Sequence, residues 1–205
     1  MIRLDREGDL WVATLDRRDK ANALTAEMLE RLCEIAEEAR AAKALVLTGT
    51  GKVFSAGADL EAAKAGLATS PLWERLSGAL ARLPGFSICA LNGTVAGGAM
   101  GMALACDLRL AVPGAKVFYP VMKLGFLPQP SDPARLAALV GPARAKMILM
   151  GGAKVPVEEA QAWGLVDRVV AGDVVEEARS LAADTLAATP EHAAAIKALI
   201  SRRPA

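Results

Sequence analysis

A single histidine, three cysteines and an aromatic content of only 4% leave this 205-residue chain short of the usual catalytic side chains. The one histidine, His192, sits in a C-terminal Ala-rich stretch far from any strand end. That placement argues against a Ser-His-Asp relay, and one histidine with scattered cysteines cannot make a zinc site. Cys33, Cys89 and Cys106 are odd in number and widely spaced, with no metal-ligand pattern. Cys89 and Cys106 lie in apolar runs and read as buried free thiols, so a reducing compartment, the cytoplasm, is expected. Net charge is +1, from 24 basic and 23 acidic residues. No single-sign field is therefore available for nucleic acid or an acidic membrane, and neither is expected as a partner. The opening MIRLDREGD lacks the apolar region of a signal peptide. Leu83 to Cys106 carries no charge, but Pro84, Asn92, Gly85, Gly93, Gly97, Gly98 and Gly101 break it into a strand and a helix. It reads as a core segment and not a membrane span.

The chain is rich in small and aliphatic residues, 53% hydrophobic in all, and reads as one domain, 1–205, with a full core. IRLDR and LWVATLD alternate about Glu7-Gly8-Asp9, which predicts a hairpin. Thr25 is placed to cap a helix reaching about Ala42, with Met28, Leu29, Leu32, Ile35 and Ala36 on one face. KALVLTG is a short buried strand, followed by helical pieces between Leu60 and Leu83. SICALNG is the next strand, with Gly97–Ala105 opening a helix immediately after it. DLRLAV and AKVFYP follow as strands. Helices are expected at about Asp132–Val140, Ala143–Met150 and Val157–Trp163, then the strand LVDRVV and two Ala-rich helices. Strands alternating with helices imply an α/β core.

Familiar motifs fail here. TGTGKVF has Val46 where a phosphate loop needs glycine, and Val53 where it needs Ser or Thr. GGAMG lacks the spacing of a dinucleotide fingerprint. What remains is backbone chemistry. SAGAD, with Gly57 between Ala56 and Ala58, follows one strand, and Gly97-Gly98 follows another. Each exposes a peptide N–H ahead of a helix, from Ala58 and from Gly98, where partial positive charge collects. Two such donors aimed at one point make an oxyanion hole. Taken one at a time, the glycines are better explained by close helix–strand packing; together, each after a strand and before a helix, they favour the site.

DRRDKANALTAEM (16–28), LVLTGTGKVFSAGADL (45–60), ALNGTVAGGAMGMALACDLRLA (90–111), KLGFLPQPSDPARL (123–136) and EEAQAWGLVDRVV (158–170) together resemble the crotonase (enoyl-CoA hydratase/isomerase) superfamily. The resemblance implies a spiral of ββα units with C-terminal helices, residues 171–205 forming a shortened helical region. It implies a homotrimer or hexamer and an acyl-CoA substrate, with coenzyme A part of that substrate and no separate cofactor or metal. It places the oxyanion donors at Ala58 and Gly98. Lys20, Ala21, Ala23 and Leu24, with Ala56, Gly57, Asp59 and Leu60, would line the coenzyme A path, and Arg17, Arg18 and Lys20 would approach its phosphates.

The departures from the family pattern are as informative. Relatives carry glutamates at the positions of Gly101 and Val121, which line the reaction chamber; this chain has neither, and the alternative register at Met122 supplies none. Hydration needs one proton removed and one delivered, so the electrophilic half of the mechanism is expected without the usual acid–base half. Gln129 is a candidate polar substitute: it stands where most relatives have a glycine that lines the reaction chamber and the aroyl-CoA dehalogenase branch a nucleophilic aspartate. Asp132 is a candidate base, although a helix N-cap is the favoured reading. Glu61 and Glu74 are further candidates with surface readings favoured. Restoring carboxylates at 101 and 121 is expected to raise hydration if the chamber accepts the volume. A thioester hydrolase and a non-catalytic acyl-CoA binder or assembly subunit remain as alternatives.

Overall fold

The structure is a computed structural model and describes residues 1–201; the end of the expected C-terminal helical region, 202–205, lies outside the described residues. The hairpin forms as expected, from β1 (Ile2–Glu7) and β2 (Leu10–Leu15), closing at Glu7 opposite Leu10. The Thr25 hydroxyl accepts the Met28 N–H at 3.3 Å and starts α1 (Ala26–Glu38), whose Met28, Leu29, Leu32, Ile35 and Ala36 are buried. This N-cap satisfies one of the first-turn donors that the helix cannot.

Three successive passes then repeat one plan. In the first, β3 (Ala44–Gly49) is followed by β4 (Val53–Ser55) and by α2 (Leu60–Lys64) and α3 (Leu72–Ala81). In the second, β5 (Phe86–Leu91) leads to β6 (Thr94–Ala96), a 3₁₀ turn at Gly97–Ala99, and α4 (Met100–Ala105). In the third, β7 (Leu108–Ala111) leads to β8 (Lys116–Phe118), α5 (Val121–Leu124) and α6 (Asp132–Leu149). The chain closes with β9 (Val155–Pro156), α7 (Val157–Ala162), β10 (Arg168–Val169), α8 (Val174–Ala187) and α9 (Pro190–Ser201). The first strand of each pass joins a sheet of order β1-β2-β3-β5-β7-β10, parallel except at β1, and the second joins a smaller sheet of order β4-β6-β8-β9. This is the expected ββα spiral.

One expectation is corrected. The helix after SICALNG does not begin immediately, because β6 intervenes, and β4 intervenes likewise before the Gly57 turn. The helices expected at about 132–140 and 143–150 are both present, as the two limbs of α6, separated at Gly141, whose φ of 79° and ψ of 160° are non-helical and open to glycine but strained for other residues. The central strands are buried on both faces. Leu45, Leu47, Cys89 and Leu91 face α1, α3 and α4, while Ala44, Val46, Ile88 and Ala90 face α8. That period of two explains why the runs read as continuous apolar stretches. Cys33, Cys89 and Cys106 are buried free thiols, and burial pushes the Cys33 thiol up to about 11. Leu83 to Cys106 is core, and among the described residues no helix is long and apolar enough to cross a membrane.

Candidate active site

Parallel pairing of β4 with β6 brings the ends of the first two passes side by side, with Ser55 opposite Val95. The turn after β4 then runs against the turn after β6. Gly57 has φ 92°, and a Cβ there would stand 2.9 Å from the Ala96 carbonyl oxygen and 3.5 Å from the Gly98 nitrogen. Only glycine meets both the conformation and the approach.

Leu24 fixes which way the Ala58 peptide points. Its N–H donates to the Gly57 carbonyl and its carbonyl accepts the Asp59 N–H, both at 2.8 Å. In an extended segment successive peptides face opposite sides, so Ala58 turns its N–H away from Leu24. Among the described residues that N–H has no acceptor, nor does the N–H of Gly98, the second residue of the 3₁₀ turn leading into α4. Both residues are half-buried. The structure thus brings the two sequence-derived donors together. Gly98 has a second reason to lack a side chain: ring atoms of the buried Trp73 lie 3.1 Å from where its Cβ would be. Trp73 is anchored by its indole N–H on the Leu67 carbonyl at 2.7 Å.

The preceding loop is held by Asn22, fully buried, which the sequence reading did not single out. Its carbonyl oxygen accepts the Arg17 N–H at 2.8 Å, and its amide donates to the carbonyls of Thr50 and Val53 at 2.9 and 2.7 Å. Ala21 and Asn22 are both left-handed, with φ of 50° and 52°. The Ala56 N–H bonds the Ala21 carbonyl at 3.0 Å, stitching the two loops expected to flank coenzyme A. Two parts of that expectation change. The Arg17 guanidinium is engaged by the Asp59 carboxylate at 2.7 Å and the Ala23 carbonyl at 3.0 Å, and holds the Asp59 carboxyl below its usual range, so it is not free for a phosphate. Leu24 is a staple, its side chain fully buried and both backbone groups occupied. Asp59 also caps α2, accepting the N–H groups of Glu61 and Ala62. Lys20, like Arg18, is exposed beside this loop, and Leu60 is exposed at the start of α2.

The most informative feature lies at the start of α4, at Gly101. A Cβ on Gly101 would stand 3.0 and 3.2 Å from the two carboxylate oxygens of Asp132. Asp132 is 1% exposed and does not cap α6; Ser131 holds the N-cap position. The favoured cap reading is therefore corrected. Instead, Oδ2 accepts the Tyr119 hydroxyl at 3.0 Å, while Oδ1 is buried with no partner among the described residues. Burial pushes the Asp132 carboxyl up to about 6, Glu74 adding to the effect and the Tyr119 bond and Arg135 charge opposing it. Tyr119 is raised above its usual value, chiefly by burial. The Gln129 N–H reaches the Tyr119 oxygen at 3.4 Å, and the Gln129 side-chain amide donates to the Ala68 carbonyl at 3.2 Å. Gln129 therefore ties the segment between α2 and α3 to the loop before α6. The Glu74 carboxylate ties α3 itself to the same loop by accepting both the N–H and the hydroxyl of Ser131. Glu61 is a surface residue paired with Lys64, as favoured. Val121 is buried and Met122 exposed, so the inward residue of α5 is apolar.

The space at 101 is already occupied by the Asp132 carboxylate, so the room that Gly101→Glu, paired with Val121→Glu, would need is lacking there. Tyr119 was missed, although it is the only tyrosine in the chain and ends an apolar strand. A cavity of about 620 Å³ lies elsewhere, between α9 and the ends of β5 and β7, where Lys197 bonds the Asp107 carboxylate at 2.6 Å.

A model of the enoyl-CoA hydratase/isomerase family matches residues 5–204. The chain belongs to the enoyl-CoA hydratase/isomerase family. YngF of Bacillus subtilis, named for the same family, is 40% identical over 180 residues, covering 83% of this chain and 69% of that protein. Carnitinyl-CoA dehydratase of Salmonella typhimurium is 35% identical over 207 residues, covering 96% of this chain and 78% of that protein. The crystal structure of enoyl-CoA hydratase from Bacillus anthracis superimposes with a TM-score of 0.90 at 30% identity, over 98% of this chain and 82% of that one. Membership in the enoyl-CoA hydratase/isomerase family fits the ββα spiral and acyl-CoA processing.

Proposed function

We propose that this family member processes acyl-CoA thioesters by polarising the thioester carbonyl between the N–H groups of Ala58 and Gly98. The observation that carries this reading is the pair of half-buried, unpartnered donors meeting at the Gly57–Gly98 approach. Each such donor is worth roughly 3 kcal/mol to a developing oxyanion. Coenzyme A enters as part of the substrate, along the stitched loops containing Ala21, Ala23 and Ala56–Leu60, with the exposed Arg18 and Lys20 as cations near its phosphates.

Water addition is the weaker activity. Gly101 and Val121 supply no carboxylates, and each missing acid–base group is worth roughly 10²- to 10⁴-fold. Crotonyl-CoA hydration is therefore expected orders of magnitude below a median enzyme turnover of about 10 s⁻¹. A panel of acyl-CoAs followed by absorbance, free thiol and mass tests the reading. Thiol release would replace it with hydrolysis, binding without turnover with a non-catalytic role, and absence of binding would end it. Exposed Met122, Leu124, Phe126 and Leu127 leave an apolar surface suited to self-association as a trimer or hexamer. A monomeric mass by light scattering at micromolar concentration would contradict that assembly. The buried free thiols support a cytoplasmic setting; exclusive recovery from an extracellular fraction would contradict it.

A further inference from the structure

We propose that Asp132, brought in from the start of α6, is the acid–base group of this site, with Tyr119 fixing its orientation. The inference rests on the oxyanion reading above and adds the proton carrier which that reading lacks. Three observations support it. The carboxylate fills the space over Gly101, the second residue of α4 and three residues after the donor Gly98. One oxygen is committed to the Tyr119 hydroxyl, while the other is buried and unpartnered. A buried acceptor without a partner is costly, so a free Oδ1 is what a proton-accepting atom needs and a structural carboxylate does not. The groups facing it are Tyr119 from the end of β8, Glu74 from α3 and Arg135 on its own helix; α4 presents only Gly101. The resulting value of about 6 suits a base near neutral pH.

The step balances simply. The C–H bond alpha to the thioester breaks, its proton forms a bond to Asp132 Oδ1, and its electron pair moves into an enolate whose oxygen sits between Ala58 and Gly98. The proton returns to the same carbon or, in a β,γ-unsaturated chain, to the γ-carbon with movement of the double bond. Tyr119 keeps its proton throughout. One carboxylate suffices for such a transfer, whereas hydration needs two separately placed groups.

The test is exchange of the α-protons of butyryl-CoA in D₂O, followed by NMR across pH, with butyryl-CoA binding measured by calorimetry. The intact chain should exchange, with a rate rising through about pH 6 and flat above. Asp132→Asn should bind butyryl-CoA but exchange at least 10²-fold more slowly, with that limb lost. Tyr119→Phe should keep exchange and move the limb to higher pH, because the lost bond is one that lowers the Asp132 value. Undiminished exchange in Asp132→Asn overturns the proposal, and so does an intact chain that binds without exchanging. An unmoved limb in Tyr119→Phe overturns the part given to Tyr119. Failure of the intact chain to bind butyryl-CoA overturns the oxyanion reading and the assignment of Asp132 together.

Discussion

Ala58→Pro removes one oxyanion donor, and sets its ring Cδ where that N–H pointed, while breaking no bond that holds the segment. The two bonds that hold this segment to Leu24 come from the Gly57 carbonyl and the Asp59 N–H, and both survive. The Ala58 N–H bonds no protein group among the described residues, so its loss opens no gap in the backbone network. Proline fixes φ near −65°, which suits an extended segment, and the residue before it is glycine, the least restricted there. The stability cost should stay below about 1 kcal/mol, within the range of substitutions that break no packing or bonding. Removing one of two donors should lower turnover by about 10²- to 10³-fold, roughly 3–4 kcal/mol of transition-state stabilisation. Gly98→Pro is a poorer probe, because its ring would also meet Trp73 at the 3.1 Å position. The assay is α-proton exchange at saturating butyryl-CoA, beside circular dichroism and urea unfolding. A variant with native unfolding and native exchange would refute the assignment of the hole.

Asp132 should also govern stability against pH. Its folded value, about 6, lies above the ordinary 3.8, so between those values the native state holds more protons than the unfolded one and stability falls as pH rises. The penalty, about 3 kcal/mol at most, is complete above pH 6, and Asp132→Asn should abolish it in urea midpoints measured from pH 4 to 8. Gly101→Ala sets a methyl 3.0 Å from Asp132 Oδ1 and should shift the carboxylate, costing about 1–3 kcal/mol and most of the exchange activity; unchanged exchange would show that the carboxylate position is immaterial. Asn22→Ala strands the Arg17 N–H and the Thr50 carbonyl and leaves a left-handed alanine, so a loss on the order of 3 kcal/mol is expected in urea unfolding.

Much of the fold was legible because its signals are local. The β1–β2 turn, the Thr25 cap and the long apolar runs of β3 and β5 each carry a period or a chemical punctuation mark. The short strands β4, β6 and β9 were not legible, since two or three residues show no period; β4 and β6 exist through pairing with each other and β9 through pairing with β8. The oxyanion donors could be read because two small-residue turns each followed a strand. Their meeting depends on the β4–β6 register, which is tertiary information. Asp132 was read as a cap for a sound local reason, since Ser-Asp-Pro resembles a helix start. Burial and the tyrosine bond overrode it, and both come from residues distant in sequence. Trp73 beneath Gly98 was equally invisible, and it means that Gly98 is constrained by packing as well as by any ligand.

The two halves of the proposed chemistry differ in how tightly the fold holds them. The hole is made of peptide groups, so its geometry is set by strand pairing and by the approach at Gly57, where a Cβ would meet the Ala96 carbonyl at 2.9 Å. Changing it means changing the β4–β6 register, which would unseat the core beneath. A proton carrier need only place one oxygen in a chamber bounded by several elements, and any wall can supply it. Asp132 illustrates this: α4 contributes no side chain at Gly101, and α6 reaches into the same volume. The electrophilic half of the site is thus tied to the architecture, while the acid–base half can migrate between elements, provided that the vacated position stays small. On that reasoning Gly101 and Asp132 form a coupled pair. A carboxylate at either position excludes a side chain at the other, so Gly101→Glu should become tolerable only alongside Asp132→Gly, and the paired exchange should recover stability that each single change loses.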